Sequence, residues 1–364
     1  MSKINIRSKQ NGNIETIGFI SQIFDNFQLY YNVEHLTLDL KYVIFQVTYL
    51  LGLCVSKHTL RVFFFMTLIP FTKQAISYND QLSHLEQLGL IIKDKKKALN
   101  YLETVGYYRL RGYMVPFFES PSIHKYKQGI TFENILDLYK FDRELRILVF
   151  SAIEKIEVAV RGQLVYNYSM DLNNPFWLND SSLFTDQKKY NDIFKGIKNL
   201  VARSKDVFIS HFYSTYSDPV PPAWMSFEVM QMGQLSVLYE ILAKSTTHKK
   251  IASYFGVTET VLISWLHMLV YVRNVSAHHA RLWNKKLRIA AKMPQKTLYP
   301  WVSPSKNLSG DNFYSVYCVL CYVLKIIAPN NKFSKKFKKL LRKYRVVNPD
   351  YMGFPKNWKR EHIL

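Results

Sequence analysis

The longest periodic segment of the chain runs from Phe132 to Tyr168 and reads FENILDLYKFDRELRILVFSAIEKIEVAVRGQLVYNY. Residues that fit one helical face recur in it at spacings of three and four, a pattern typical of a long amphipathic helix. Thr131 is a good N-cap for this helix. The residues on that face are Leu138, Phe141, Leu145, Leu148, Ala152, Ile156, Ala159 and Gln163.

The opposite face of this helix carries charged residues, and their usual role is to keep one face solvated. Glu154 and Glu157 lie at spacings that allow them to pair with Arg161 along the helix. The cations that we expect on this solvated face are Arg143, Arg146, Lys155 and Arg161.

Most of the remaining chain also has helical periodicity, and no run of alternating strands is found. Predicted helices span residues 77–88, 94–104, 186–204, 223–244, 247–255 and 313–327, and another begins after Thr258. In the segment 106–118, GYYRLRGYMVPFF, glycines, aromatics and a proline break the period, so we expect an extended conformation there. The sequence therefore predicts a mainly α helical bundle with a small N-terminal subdomain, either winged-helix-like or a helical cap.

Four regions follow from this pattern. Residues 1–65 form an extension, residues 66–130 the small helical and aromatic subdomain, residues 131–330 the bundle, and residues 331–364 a basic C-terminal tail. Regular patterning begins near Met66, so we expect the extension to be dispensable. Its longest apolar run, residues 42–55, has 14 residues, which is shorter than the roughly 20 that span a bilayer as a helix.

The charge of the chain points to a polyanionic partner. Lys and Arg total 49 against 27 Asp and Glu, a net charge of +22, which indicates nucleic acid or an acidic membrane face. Residues 281–364 hold 19 basic and 3 acidic residues, so most of the excess lies at the C-terminal end. Three cysteines cannot build a disulfide framework, which favours a cytoplasmic location. Cys318 and Cys321 lie in an apolar stretch, so core packing is favoured over a metal or redox role.

The main candidate site closes the helix that begins after Thr258, in the segment 273–284, RNVSAHHARLWN. An imidazole can take the proton of a ribose 2′-hydroxyl, and a guanidinium can stabilise charge on phosphorus, so histidines between arginines suit metal-independent phosphodiester chemistry. Arg273 and His278 lie five positions apart, about 140° around a helix. Either the helix loosens near Ser276 or two copies of it meet; a polar helix end without catalysis is the alternative.

This segment closely resembles the signature of the Abi-like (AbiD/AbiF) family of bacterial abortive-infection proteins. Other stretches agree with the same family over about residues 66–364. They are FTKQAISYNDQLSHLEQLGLII at 71–92, GYYRLRGYMVPF at 106–117, FDRELRILVFSAIEKIEVAVRGQL at 141–164, PPAWMSFEVMQMGQLSVLYEIL at 221–242 and MGFPKNWKREHIL at 352–364.

The resemblance implies a HEPN-type helical bundle and a metal-independent ribonuclease without cofactor. It gives His278 the role of proton-transfer group, Arg273 that of phosphate clamp and Asn274 that of an orienting partner, with His279 and Arg281 as second-tier residues. Trp283 is expected to pack rather than to stack on a base. Related nucleases pair two motifs in a homodimer, and some family members are restrained by a structured non-coding RNA.

A basic run, KFSKKFKKLLRKYR at 332–345, contains eight cations and no acid. Phosphate contact with help from aromatic residues is the favoured function, over a solvated helix or an amphipathic membrane contact. The candidate RNA-binding residues are Lys332, Lys335, Lys336, Lys338, Lys339, Arg342, Lys343 and Arg345.

Together these features predict a cytoplasmic endoribonuclease that arrests growth during phage infection. Two other classes of function stay open. One is a non-catalytic RNA- or DNA-binding regulator that uses the basic C-terminal surface, and the other is a membrane-perturbing toxin built on residues 42–65.

Overall fold

The computed structural model describes residues 73–120, 124–302 and 308–361. The extension 1–65 and its apolar run lie outside these residues. The chain forms two compact units. Of the smaller unit, residues 73–80, 119–120 and 124–125 are described, and Ser77 Oγ donates to Asp80 Oδ2 there at 2.6 Å. The described part of the larger unit comprises residues 81–118 and 126–361.

The described residues are mainly helical and form no β-strand beyond isolated bridges, which confirms the predicted fold class. The helices are α1 (Tyr78–Gln87), α2 (Lys95–Thr104), α3 (Tyr107–Met114), α4 (Phe132–Asp171), α5 (Gln187–Arg203), α6 (Val207–Thr215), α7 (Ala223–Val229), α8 (Met232–Ile241), α9 (Thr246–Tyr254), α10 (Glu259–Ala277), α11 (Phe313–Ile327) and α12 (Phe333–Lys343). Short 3₁₀ turns cover Val115–Phe117, Trp177–Asn179, Ser181–Leu183, Pro349–Met352 and Trp358–Arg360.

Helix α4 is the axis of the larger unit. Its 40 residues correspond to a length of about 60 Å, and α3, α7, α9, α10, α11 and α12 all pack against it. At its start the backbone N–H of Thr131 donates to Asn134 Oδ1 at 2.9 Å, so the predicted cap position is confirmed. The predicted core face is buried at Leu138, Phe141, Leu145, Ala152 and Ile156.

Arg161 on α4 was expected on a solvated face, and that prediction is wrong. Its side chain is largely buried and pairs with Glu157, as the spacing predicts. Its guanidinium also donates to the carbonyl oxygens of Phe227 and, at 2.8 Å, Met230. These carbonyls lie at the break between α7 and α8, where the sequence predicted one continuous helix over 223–244. An arginine from another helix thus binds both carbonyl oxygens at the break, where a helix end has fewer backbone partners than its interior.

The segment 106–118 is also different from its prediction. It forms helix α3 and a 3₁₀ turn instead of an extended strand, and no wing is present among the described residues. The positive φ of Gly106 (+89°) permits the sharp entry into α3. Leu110, Tyr113 and Met114 are buried on one side of the helix, so contacts with the rest of the unit offset the weak local pattern.

The cysteines of α11 are core residues, as expected. Cys318 and Cys321 are both buried, and burial raises the pKa of the Cys321 thiol to about 12. Such a thiol stays protonated at neutral pH and is a poor nucleophile or metal ligand.

Candidate functional site

The predicted catalytic segment ends α10 in a fixed turn. The backbone N–H of His279 donates to Ser276 O at 3.2 Å, and that of Ala280 donates to Val275 O at 3.0 Å. This pair of bonds is the Schellman pattern, in which the residue after the helix takes the left-handed conformation. His279 takes it with φ +56°.

A histidine at this position is strained, because glycine or asparagine is the usual residue there. The left-handed conformation costs a non-glycine residue of order 1–3 kcal/mol. The structure holds it in part through α3, since Arg109 Nη1 donates to His279 O at 2.6 Å. The turn therefore depends on contacts from outside α10.

The chain beyond the turn is anchored by Asp142 of α4, which is fully buried. The backbone N–H groups of Leu282 and Trp283 donate to Asp142 Oδ1 at 3.1 and 2.6 Å. The Tyr113 hydroxyl donates to Oδ2 at 2.6 Å, and the Arg146 guanidinium donates to the same oxygen. One buried carboxylate thus fixes two consecutive backbone groups of the predicted catalytic segment.

Arg146 is the partner of this carboxylate and is only 5% exposed. The prediction that it lies on a solvated face is therefore wrong. Burial raises the pKa of Asp142, but the Arg146 guanidinium, the Tyr113 hydroxyl and the two backbone N–H groups counteract this by stabilising the charged form. Arg146 Nη1 also lies 3.5 Å from Ala280 O, so the pair contacts the last residue of the turn as well as the chain beyond it.

The end of the segment packs against α3. Arg281 Nη1 donates to the carbonyl oxygen of Gly112. Trp283 is 1% exposed, and its ring lies nearly parallel to that of Tyr113 with centroids 6.5 Å apart. The prediction that Trp283 packs in the core is confirmed.

Arg273, Asn274 and His278 lie at the surface around this anchored turn. The Arg273 guanidinium carbon is 5.6 Å from the ring centroid of Phe150 on α4, and Arg273 Nη1 is 3.4 Å from Asn274 Oδ1. Asn274, His278 and His279 are exposed. Helix α10 is continuous to Ala277, so it does not loosen near Ser276. Arg273 and His278 of one chain therefore keep their offset of about 140°.

The basic run forms helix α12, whose apolar face is buried through Phe333, Phe337 and Leu340. Two of its cations have fixed contacts. Lys343 Nζ lies 2.6 Å from Glu144 Oε1, and Lys338 Nζ lies 5.8 Å from the ring centroid of Trp358. The exposed cations of the run are Lys332, Lys335, Lys336, Lys339, Arg342, Lys343 and Arg345.

Helix α12 and Arg273 border the same part of α4. Lys332, which directly precedes α12, and Lys336 of α12 line a shallow hollow together with Ser151 and Lys155 of α4. Ser151 directly follows Phe150, the ring below the Arg273 guanidinium. The predicted catalytic arginine and the predicted RNA-binding cations are thus brought to one stretch of a single helix.

A larger hollow of about 430 Å³ lies further along α4 and does not suit RNA. It is lined by carboxylates, which repel phosphates, and by one aromatic ring. Its lining includes Glu154, Glu157, Arg161, Trp224 and Glu228.

Among the residues that the structure describes, no group of three or more His, Cys, Asp or Glu side chains is arranged to hold a metal ion. No single described helix has the length and apolar character to cross a membrane. The consecutive helices α9 and α10 meet these criteria only as a pair bent by 61°.

The sequence did not point to Asp142, Arg109 or Gly112, which position the segment. A signal for Asp142 was present: a carboxylate directly after the core residue Phe141, with Arg146 four positions later, within an apolar periodic stretch. Arg109 and Gly112 gave no comparable signal, because their partners lie far away in sequence: Arg109 donates to the carbonyl oxygen of His279, and the carbonyl oxygen of Gly112 accepts from Arg281.

Comparison with known protein families gives a match over the part of the chain that contains the candidate site. A family model described as Abi-like protein matches residues 100–284, just over half of the chain, from α2 to the residue after Trp283. The chain matches no curated protein and no solved structure.

Proposed function

The chain belongs to the Abi-like protein family, and from this premise we propose that it is a HEPN-type endoribonuclease that cuts RNA without a metal ion and thereby arrests growth. Family membership itself supports a role in abortive infection, a defence of bacteria against phage. The nuclease activity, its residues and its partners are our proposal.

In this proposal His278 moves the proton and Arg273 stabilises the phosphate. The His278 imidazole takes the proton of a ribose 2′-hydroxyl, and the 2′-oxygen attacks the adjacent phosphorus. The bond from phosphorus to the 5′-oxygen breaks, and that oxygen takes up a proton from an imidazolium. The products are a 2′,3′-cyclic phosphate and a 5′-hydroxyl. Arg273 offsets the charge on the phosphate oxygens, and Asn274 orients the Arg273 guanidinium.

One observation carries the proposal. Arg273 lies over Phe150, and Lys332 and Lys336 line a hollow together with Ser151, the next residue of α4. A strand whose backbone is held by α12 would therefore pass close to Arg273. Phosphate contacts supply most of the affinity in such binding, and they carry no sequence preference.

We propose that each active site combines residues of two chains. The offset of about 140° between Arg273 and His278 separates them on one helix, and a second copy can supply the missing member. Helix α4 offers two exposed apolar side chains for such pairing next to Arg273, Ile147 and Phe150. A structured non-coding RNA that restrains the enzyme remains a further predicted partner.

The test is incubation of the purified full chain with total RNA, with and without EDTA. We expect cleavage in both conditions and 5′-hydroxyl ends on the products. Binding without cleavage would favour the non-catalytic regulator, and leakage of liposomes without RNA cleavage would favour the membrane-perturbing toxin. Cleavage that disappears with EDTA would contradict the metal-independent mechanism.

Mixing of two inactive variants tests the shared site. Arg273→Ala and His278→Ala should each be inactive, and a heterodimer of them can contain one intact pair of residues. We expect the refolded mixture to regain part of the activity. No recovery, in a mixture shown to contain heterodimers, would place both residues in one chain.

A further inference from the structure

Tyr108 is an exposed aromatic residue beside the candidate site. It belongs to α3 and is 88% exposed, whereas Tyr113 of the same helix is buried. Packing within the larger unit therefore does not explain why an aromatic residue occupies position 108. An aromatic ring held in water next to a predicted nucleic-acid site is available for a ligand.

Helix α3 is fixed to the turn at the end of α10. Arg109 Nη1 donates to His279 O at 2.6 Å, and Arg281 Nη1 donates to Gly112 O. A Cβ at Gly112 would lie 3.7 Å from Arg281 Nη1, so the guanidinium covers this position. Tyr108 lies four residues before Gly112, on the same side of α3. The ring is therefore placed at the edge of the turn that presents His278.

The chemistry of this edge fits single-stranded nucleic acid. The segment 105–118, which surrounds Tyr108, contains two arginines, Arg109 and Arg111, and no carboxylate. A guanidinium has five N–H donors, so a bond to one backbone carbonyl leaves Arg109 and Arg281 able to contact a phosphate. A base can stack on the tyrosine ring while these arginines contact the backbone.

We propose that Tyr108, with Arg109 and Arg281, forms a base-stacking subsite for a nucleotide that flanks the cleaved phosphodiester. The inference rests on the proposed function, and it selects single-stranded RNA as the substrate class. In a duplex the bases are stacked on each other and do not reach the ring. The enzyme then cuts loops and unpaired regions in preference to paired regions.

The experiment measures binding in the full chain that carries His278→Ala, so that the RNA stays intact. A fluorescent single-stranded RNA of mixed sequence and a hairpin-free duplex of the same length serve as probes. Tyr108→Ala should weaken binding of the single strand by about 5- to 150-fold, the usual range for loss of one stacked base. Binding of the duplex should change less, and Tyr108→Trp should retain the affinity for the single strand.

Trp224→Ala is the matched control. Trp224 is also exposed, but it lines the carboxylate-rich hollow of α4, so its removal should leave the affinity for both probes unchanged. Equal melting temperatures of the variants will show that the exposed replacement at Tyr108 leaves the fold intact.

Several outcomes would overturn the subsite. One is single-strand affinity of Tyr108→Ala within twofold of its parent, and another is an equal loss for single strand and duplex. A third is unchanged RNA affinity with a change in oligomeric state, which would assign Tyr108 to a protein interface. The two proposals can fail separately. Wild-type protein that binds RNA through Tyr108 but never cuts it would remove the proposed reaction and keep the subsite.

Discussion

The turn at the end of α10 and the helix α12 are both rich in cations, but they use them in different ways. Around the turn, Arg109, Arg146 and Arg281 donate to backbone carbonyls and fix the conformation of the chain. On α12 most cations face solvent, and only the apolar side of the helix is packed. Arginine suits the first role because its planar fork can make several directed hydrogen bonds, whereas lysine is a strongly hydrated point charge.

This difference indicates that the turn and helix α12 have different roles. The turn holds His278 in a defined position, which the proposed reaction would require, since small displacements of a catalytic group lower the rate strongly. Helix α12 offers a field of exposed charge, which is sufficient for backbone contact because that binding depends little on geometry. Loss of a residue at the turn should therefore affect structure and catalysis, and loss on α12 should affect affinity.

The largest effect is expected for Asp142→Asn. The change removes the charge that pairs with the buried Arg146 and leaves an uncompensated cation in the core. Breaking such a pair usually costs about 3–5 kcal/mol, and the anchor of Leu282 and Trp283 is weakened as well. Urea unfolding measures the loss, and RNA cleavage under folding conditions should fall with it.

Asp192→Asn is the control for this change. Asp192 is exposed on α5, so its replacement should alter stability by less than about 0.5 kcal/mol. If Asp142→Asn were as stable as this control, the buried pair would not anchor the turn.

A charge change on α12 should give a smaller effect that is confined to binding. Glutamine at four exposed cations should weaken RNA binding for all sequences alike and flatten its salt dependence by up to ~0.7 in log–log slope per lost phosphate contact on single strands. The fold should stay intact, because none of the four residues is buried. The substitutions are Lys335→Gln, Lys336→Gln, Lys339→Gln and Arg342→Gln.

A variant with the same net charge separates local contact from general charge. Its four substitutions lie on other exposed parts of the chain: Lys96→Gln, Lys188→Gln, Lys205→Gln and Lys249→Gln. For this variant, the log–log slope of RNA affinity against salt concentration should stay close to the wild-type value. Equal slopes for the two variants would show that α12 has no special role in RNA binding.

The smallest effect concerns the strain at His279. Glycine adopts a positive φ without steric cost, so His279→Gly should raise the free energy of unfolding, by up to ~1 kcal/mol. Cleavage should be largely retained if His279 acts only through its backbone. A stabilised protein that has lost cleavage would instead show that the His279 side chain takes part in the reaction.

Local signals explain what the sequence predicted well. The caps at Thr131 and Thr258 and the apolar run 313–327 depend on residues a few positions apart, and the structure places helices at these positions. The segment 273–284 could be selected as the candidate site from its resemblance to the family alone, and its role in catalysis stays a prediction.

Features that depend on distant residues could not be predicted in this way. Arg146 and Arg161 look like surface charges on a helical wheel, but their carbonyl partners lie about 70 to 130 residues away. The helix α3 has weak local propensity and is stabilised by packing. Periodicity describes which face of a helix is apolar, and it does not describe which polar groups a neighbouring segment brings to that helix.

The rate of RNA cleavage by purified His278→Ala, compared with that of the wild type, shows whether His278 transfers the proton in the proposed reaction. Proton transfer by a positioned side chain contributes about 10²- to 10⁴-fold to rate, so we expect at least a 100-fold loss. RNA affinity should change little, since the imidazole adds little to ground-state binding. Cleavage by the variant at the wild-type rate, in a preparation free of contaminating nuclease, would contradict the account.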